Sequence, residues 1–206
     1  GLRILTPPTM RLREGWMRSL DRGGSSNPRL KPINRILFAI LATIILFIIL
    51  GVGSSIPLSG EEARQFMKQF EDLTEDLSTF RIFMNNLKIA LLSFIPFIGV
   101  GIIGLIVFQT GELLGYISTK SGIHPMIFIL FSITMVYGLM EFLGYGVAAS
   151  ESIIFSYSLI KRRVRREVKW LLISIGVSAA LLLAAAALES FIVSTFKEVI
   201  SSSAVI

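Results

Sequence analysis

"ILFAILATIILFIILGV", residues 36–52, runs for 17 positions without a charged side chain. A helix needs about 20 predominantly apolar residues to cross the hydrocarbon of a bilayer, so this stretch sits near the minimum span. A secretory signal peptide would carry a similar run. Here the run follows a 35-residue basic segment and has no clear small-residue cleavage pattern, so it is expected to be an uncleaved helix. A second span reads from Val168 to Leu188, interrupted only by Lys169 at its edge. The whole chain agrees: of 206 residues, 53% are hydrophobic and 17% charged, with mean hydropathy +0.73, against about 25% charged in a soluble domain. The expected class is all-α, a polytopic helical membrane protein of about five transmembrane helices, placed in the cell membrane.

The net charge of +6 is divided by position. Residues 1–35 carry seven Arg and one Lys against Glu14 and Asp21, and 161–169 ("KRRVRREVK") carries six basic residues and Glu167. The loop 54–80 holds six acidic residues against Arg64 and Lys68. Lys and Arg accumulate in cytoplasmic loops, which puts both basic segments and the amino terminus inside, and the acidic loop and carboxyl terminus outside. Basic blocks beside membrane helices meet anionic headgroups, so Lys161, Arg162, Arg163, Arg165 and Arg166 are expected to contact lipid or a partner, and nucleic acid is not an expected partner. The chain has no cysteine and one histidine, His124, which excludes disulfides, thiolate chemistry and any multi-histidine metal cluster. No cofactor and no metal is expected. Few oxidisable residues, more Arg than Lys and an Ala-rich last helix would suit a thermophile.

Two regions are predicted. Residues 1–35 form a basic cytoplasmic segment in which Leu12, Trp16 and Leu20 recur at helical spacing, the pattern of a helix lying at the interface. Residues 36–206 form the membrane domain. Within it, Ala63, Phe66, Met67, Phe70, Leu73 and Leu77 line one face of an external helix over about 60–78, with Phe66 and Phe70 as contacts to lipid, to the bundle or to a partner. The stretches 82–117 and 125–160 hold 36 residues each, about 54 Å if helical. That is too long for single spans, and both contain Pro and Gly. The chain is outside near residue 80 and inside near residue 161, so three crossings between them give five in all.

Inside those stretches "ELLGY" (112–116) returns as "EFLGY" (141–145). At an offset of 29, seven of 21 positions are identical, from Pro96 on Pro125 to Tyr116 on Tyr145. Oppositely directed copies would form an inverted pair of the kind found in transporters; chance matching of apolar sequence is the other reading. An ionised carboxyl at a helix centre costs about 2.5–3.5 kcal/mol on insertion scales, so Glu112, Glu141 and Glu151 require partners, protonation or a wet cavity. One reading makes Glu112 and Glu141 the lining of a proton or cation path. The other has them bond backbone freed where helices break at glycine. Catalysis finds no support. The only aspartates, Asp21, Asp72 and Asp76, lie outside the spans, Ser121 and His124 share a short linker without a triad framework, and no phosphate-binding glycine loop occurs.

Phe83-Met84-Asn85-Asn86-Leu87, Gly111-Glu112-Leu113-Leu114-Gly115 and Tyr137-Gly138-Leu139-Met140-Glu141 together resemble the stage II sporulation protein M family over about residues 80–160. In that family the third motif is usually Pro-His-Gly-x-x-Glu; here Val136-Tyr137 stands in for Pro-His while Gly138 and Glu141 are kept. The resemblance implies a five-helix integral membrane protein without known enzymatic activity, which in sporulating bacteria acts as a scaffold recruiting cell-wall hydrolases. The expected function is accordingly a non-enzymatic scaffold or complex subunit, as a homo-oligomer or within a membrane assembly. Its internal polar network would comprise Arg81, Asn85, Asn86, Glu112, Tyr116, Gly138, Glu141 and Tyr145. The alternative is a channel or permease-type subunit.

Overall fold

The computed structural model describes residues 32–56, 58–65, 68, 78–162 and 164–203, without the side chains of Arg166 and of residues 196–203. The amino-terminal amphipathic segment with Trp16, most of the external helix with Phe66 and Phe70, and Arg163 therefore lie outside the described residues. Every regular element among the described residues is helical: α1 Pro32–Ser54, α2 Thr79–Ser93, α3 Gly99–Ser121, α4 Pro125–Thr134, α5 Val136–Ile160 and α6 Val164–Ser203, with residues 60–65 also helical. Four are long and apolar enough to cross a membrane: α1, α3, α5 and the part of α6 from Glu167 to Thr195. This is an all-α, polytopic helical membrane fold.

The long central stretches are broken, as their length required. In the first, Pro96 has no amide proton to continue a helix, and the chain turns over Phe94–Ile98 between α2 and α3. Phe97 adopts a left-handed φ of 68°, a conformation unfavourable for a side chain with a Cβ; its N–H donates to Ser156 Oγ at 2.7 Å, which holds the turn against α5. In the second stretch His124 caps α4 by accepting the Met126 N–H at 3.2 Å, and Pro125 occupies the first turn, where its missing donor costs nothing. The break falls at Met135, whose ψ of 121° ends α4 and starts α5. Gly138 makes that corner possible, since a Cβ there would lie 2.4 Å from Ser132 O.

The two breaks fall at different registers of the proposed repeat. At the offset of 29, Met135 corresponds to Ile106, which lies inside the uninterrupted α3. The turn over 94–98 itself corresponds to 123–127, at the break between α3 and α4, so one helix break matches at this offset and the break at Met135 does not.

Contacts give the directions of the helices. Along α3, Gly104, Gly111 and Gly115 meet Ile49, Leu50 and Ser54 of α1 in the same order of advance, so α1 and α3 run parallel. Thr43 meets Phe142 and Gly146, and Arg35 meets Glu151, so α5 runs antiparallel to α1. Gly144 packs on Leu182 and Ser178, while Glu151 meets Ser174, so α6 runs antiparallel to α5. At the other end Thr79 of α2 and Ser190 of α6 share a hydrogen bond of 2.6 Å. α2 has 15 residues, about 22 Å, and with its turn it reaches from Ser190 to Ser156 along the bundle.

All six helices contribute to one core: Leu46 and Leu50, Ala90, Ile103 and Val107, Ile129, Tyr145 and Ala149, and Leu182. The outer faces are apolar too, with Leu37, Ile44 and Ile48 on α1, Leu105 on α3 and Leu172 on α6 each half or more exposed. A contiguous apolar surface of this kind would promote association in water; in a bilayer it is the solvated face.

Candidate functional site

At the end of the bundle where α1 and α6 begin and α5 closes, a charged cluster joins three helices. Arg35, one turn into α1, is 8% exposed and donates from Nη1 to both carboxylate oxygens of Glu151 on α5, each at 2.8 Å. Its Nη2 donates to Glu167 of α6. Ser174 of α6 donates to Glu151 Oε2 at 3.3 Å, and Trp170 presents its ring to the guanidinium at 5.1 Å. Arg35 Nε is buried without a partner among the described residues. The planar, always charged guanidinium suits this position, because it can engage two carboxylates and a ring face at once. Chemically the cluster is a cation held between two anions, an arrangement that ties helices together.

A second polar group lies further along α5. Tyr145 donates its hydroxyl to Glu141 Oε1 at 2.9 Å, one helical turn back. Phe142, between them in sequence, stacks on Phe47 of α1 at 4.1 Å and meets the Tyr145 ring edge-on at 6.3 Å. Glu189 of α6 is near enough to interact electrostatically with Glu141 and Tyr137. Tyr145→Phe removes the hydroxyl while keeping the ring, and is expected to lower stability by about 1–2 kcal/mol, seen as a fall in the thermal unfolding midpoint of the purified protein.

The remaining sequence-selected residues are dispersed. On α2, Asn86 is buried while Arg81 and Asn85 are exposed. Glu112 is half-buried and makes no hydrogen bond or ion pair among the described residues, and Tyr116 has Lys120 over its ring at 5.7 Å. No hydrogen bond joins Glu112 or Tyr116 to Glu141 or Tyr145 among the described residues. Gly138 has a backbone role at the α4–α5 corner. In the basic segment Lys161 lies over Tyr157 at 5.6 Å, Arg162 takes a left-handed φ of 53°, and Lys161, Arg162 and Arg165 are exposed.

Sequence reasoning placed Glu151 among the carboxylates needing a partner but missed Arg35 as that partner, together with Glu167, Trp170 and Glu189. The signal was present. Arg35 is the last charge before the first apolar run, and Glu151 is the last charge of its own stretch before the basic segment. A cation and an anion near the same end of two spans are natural partners.

A cleft of about 580 Å³ opens at the opposite end, between the close of α1, the close of α3 and the start of α4. Neither Glu112 nor Glu141 lines it. Among the described residues no group of three or more His, Asp or Glu side chains is placed to hold a metal ion.

Comparison with family models matches the one described as stage II sporulation protein M over residues 36–194. Comparison with curated proteins and with solved structures finds no match.

Proposed function

The chain belongs to the stage II sporulation protein M family, and we propose that it is a multi-pass cell-membrane protein that works without catalysis, by assembly, as a scaffold or as a subunit of a membrane complex. The family is not a known enzyme family. The observation that carries this reading is where the intramembrane carboxylates go. Glu151 is spent on Arg35 and Ser174, and Glu141 is bonded to Tyr145 beside a stacked Phe47–Phe142 pair. Such partners join or brace helices, whereas a conducting path needs carboxylates on a continuous wet surface.

In this reading the amino terminus and the 161–169 segment face the cytoplasm, where exposed Lys161, Arg162 and Arg165 meet anionic headgroups, and the copies or partners of the complex associate through the outer faces of the bundle. Proton and cation flux into liposomes carrying the purified protein tests it against the channel alternative. The expected result is no flux above protein-free liposomes, for wild type and for Glu112→Gln/Glu141→Gln alike. Flux in the wild type that disappears in the double variant, with the unfolding temperature unchanged, would show a conduction path and overturn the assembly reading.

A further inference from the structure

The cleft at the end of α1 has a chemistry that none of the packing interactions requires. Its hydroxyls are all turned the same way. Ser54 Oγ and Ser55 Oγ donate to Gly51 O at 2.8 and 3.1 Å, Thr119 Oγ1 donates to Gly115 O at 2.9 Å, and Ser118 Oγ donates to Ile123 O. A serine or threonine hydroxyl has one proton and two lone pairs. With each proton committed to a backbone carbonyl, the four oxygens can offer the cleft only acceptors. His124 contributes the opposite. Its Nδ1 accepts the Met126 N–H, so the proton of the neutral ring sits on Nε2 as a donor. Among the described residues no charged side chain lines the cleft.

The cleft's apolar walls are Ile48 and Val52 on α1 and Met126 on α4, which are 59%, 51% and 52% exposed. These residues belong to the outward apolar faces of their helices, so the cleft opens sideways into the bilayer. Its volume of about 580 Å³ is within the roughly 300–1,000 Å³ range of small-ligand sites, where a few placed polar groups set orientation.

We propose that this cleft is a binding site for a membrane lipid with a primary ammonium headgroup. The three ammonium N–H groups are shared among the four hydroxyl oxygens, those of Ser55 and Thr119 at the mouth and of Ser54 and Ser118 deeper in. The phosphate takes the His124 Nε2–H, and the hydrocarbon lies along Ile48, Val52 and Met126. A headgroup without N–H donors leaves the four acceptors unmatched, so the site discriminates by donor count rather than by charge alone.

Native mass spectrometry of the full chain in detergent, titrated with phosphatidylethanolamine, phosphatidylcholine and phosphatidic acid of identical acyl chains, tests this directly. Phosphatidylethanolamine is expected to bind at least tenfold more tightly than either of the others. Ser55→Ala/Thr119→Val, at two exposed positions, is expected to erase that tenfold preference with the unfolding temperature unchanged. Equal binding of the three lipids would overturn the proposal, whatever the variant does, and so would a folded variant that keeps the preference. Soluble phosphoethanolamine binding as tightly as the lipid would overturn the bilayer as the source of the ligand.

Discussion

Arg35→Ala is expected to destabilise the protein by about 3–5 kcal/mol, the usual cost of removing one partner from a buried ion pair. The reason is what remains. Glu151 is 2% exposed and would keep both oxygens in a site that has lost its cation, with only the Ser174 hydroxyl bonded to it. Glu167 would add a second carboxylate to the same pocket. Arg35→Lys keeps the charge but not the fork. A lysine ammonium cannot span Glu151 and Glu167 while lying over Trp170, so an intermediate loss is expected. Thermal unfolding of the two variants in the same detergent gives the order: wild type, then Arg35→Lys, then Arg35→Ala. An Arg35→Ala protein as stable as wild type would mean that the cluster is an incidental surface contact.

The second large effect is steric. A Cβ on Gly111 would lie 2.3 Å from Leu50 O and 2.9 Å from Ser54 N, and one on Gly146 would lie 2.0 Å from Thr43 Oγ1 and 2.7 Å from Ala39 O. The obstacles include α1 backbone, which a side-chain rotation cannot clear, so α1 must separate from α3 or from α5. Overpacking commonly costs about 1–3 kcal/mol; Gly111→Ala and Gly146→Ala are expected at or above the top of that range, and Gly111→Leu is expected to yield no folded protein. Gly101 and Gly176 provide the internal contrast, since a Cβ at either meets nothing within 4 Å. Replacing them with alanine removes the helix penalty of glycine, roughly 1 kcal/mol, so Gly101→Ala and Gly176→Ala should raise the unfolding temperature while Gly111→Ala and Gly146→Ala lower it. Four equal responses would contradict the close α1 crossings.

Much of this architecture was legible because a bilayer constrains sequence so strongly. The uncharged run at 36–52 and the lengths of 82–117 and 125–160 forced spans and breaks, and Pro96 marked the first break. Met135 was not legible as the second. Nothing in the local sequence requires that residue to leave the helix, and Gly138, which lets the corner close, lies three positions on. The candidate site was legible by residue type rather than by partner. Sequence singled out Glu141 and Tyr145, which do bond, four residues apart on one helix face. It could not separate Asn85 from Asn86, because adjacent residues on a helix face different directions and which one turns inward depends on packing with α5 and α6. The Arg35–Glu151 pair spans 116 positions, a separation at which single-sequence periodicity carries no information. Glu112 shows the converse. Its motif repeats that of Glu141 almost letter for letter, with Tyr116 four residues on as Tyr145 is from Glu141, yet it acquires no described hydrogen bond, and the Tyr116 ring lies under Lys120.

The claim that intramembrane charge serves helix assembly is tested most directly by a double-mutant cycle on Arg35 and Glu151. Arg35→Met, Glu151→Leu and the combined variant would be compared with wild type by unfolding free energy in one detergent. The cycle isolates the interaction from the separate effects of each substitution. The expected result is two strongly destabilising single variants, a combined variant that loses clearly less than the sum of the two, and a coupling energy toward the upper end of the roughly 0.5–3 kcal/mol seen for contacting residues. Two single effects that simply add would mean that the pair does not hold α1 against α5, and would contradict the account.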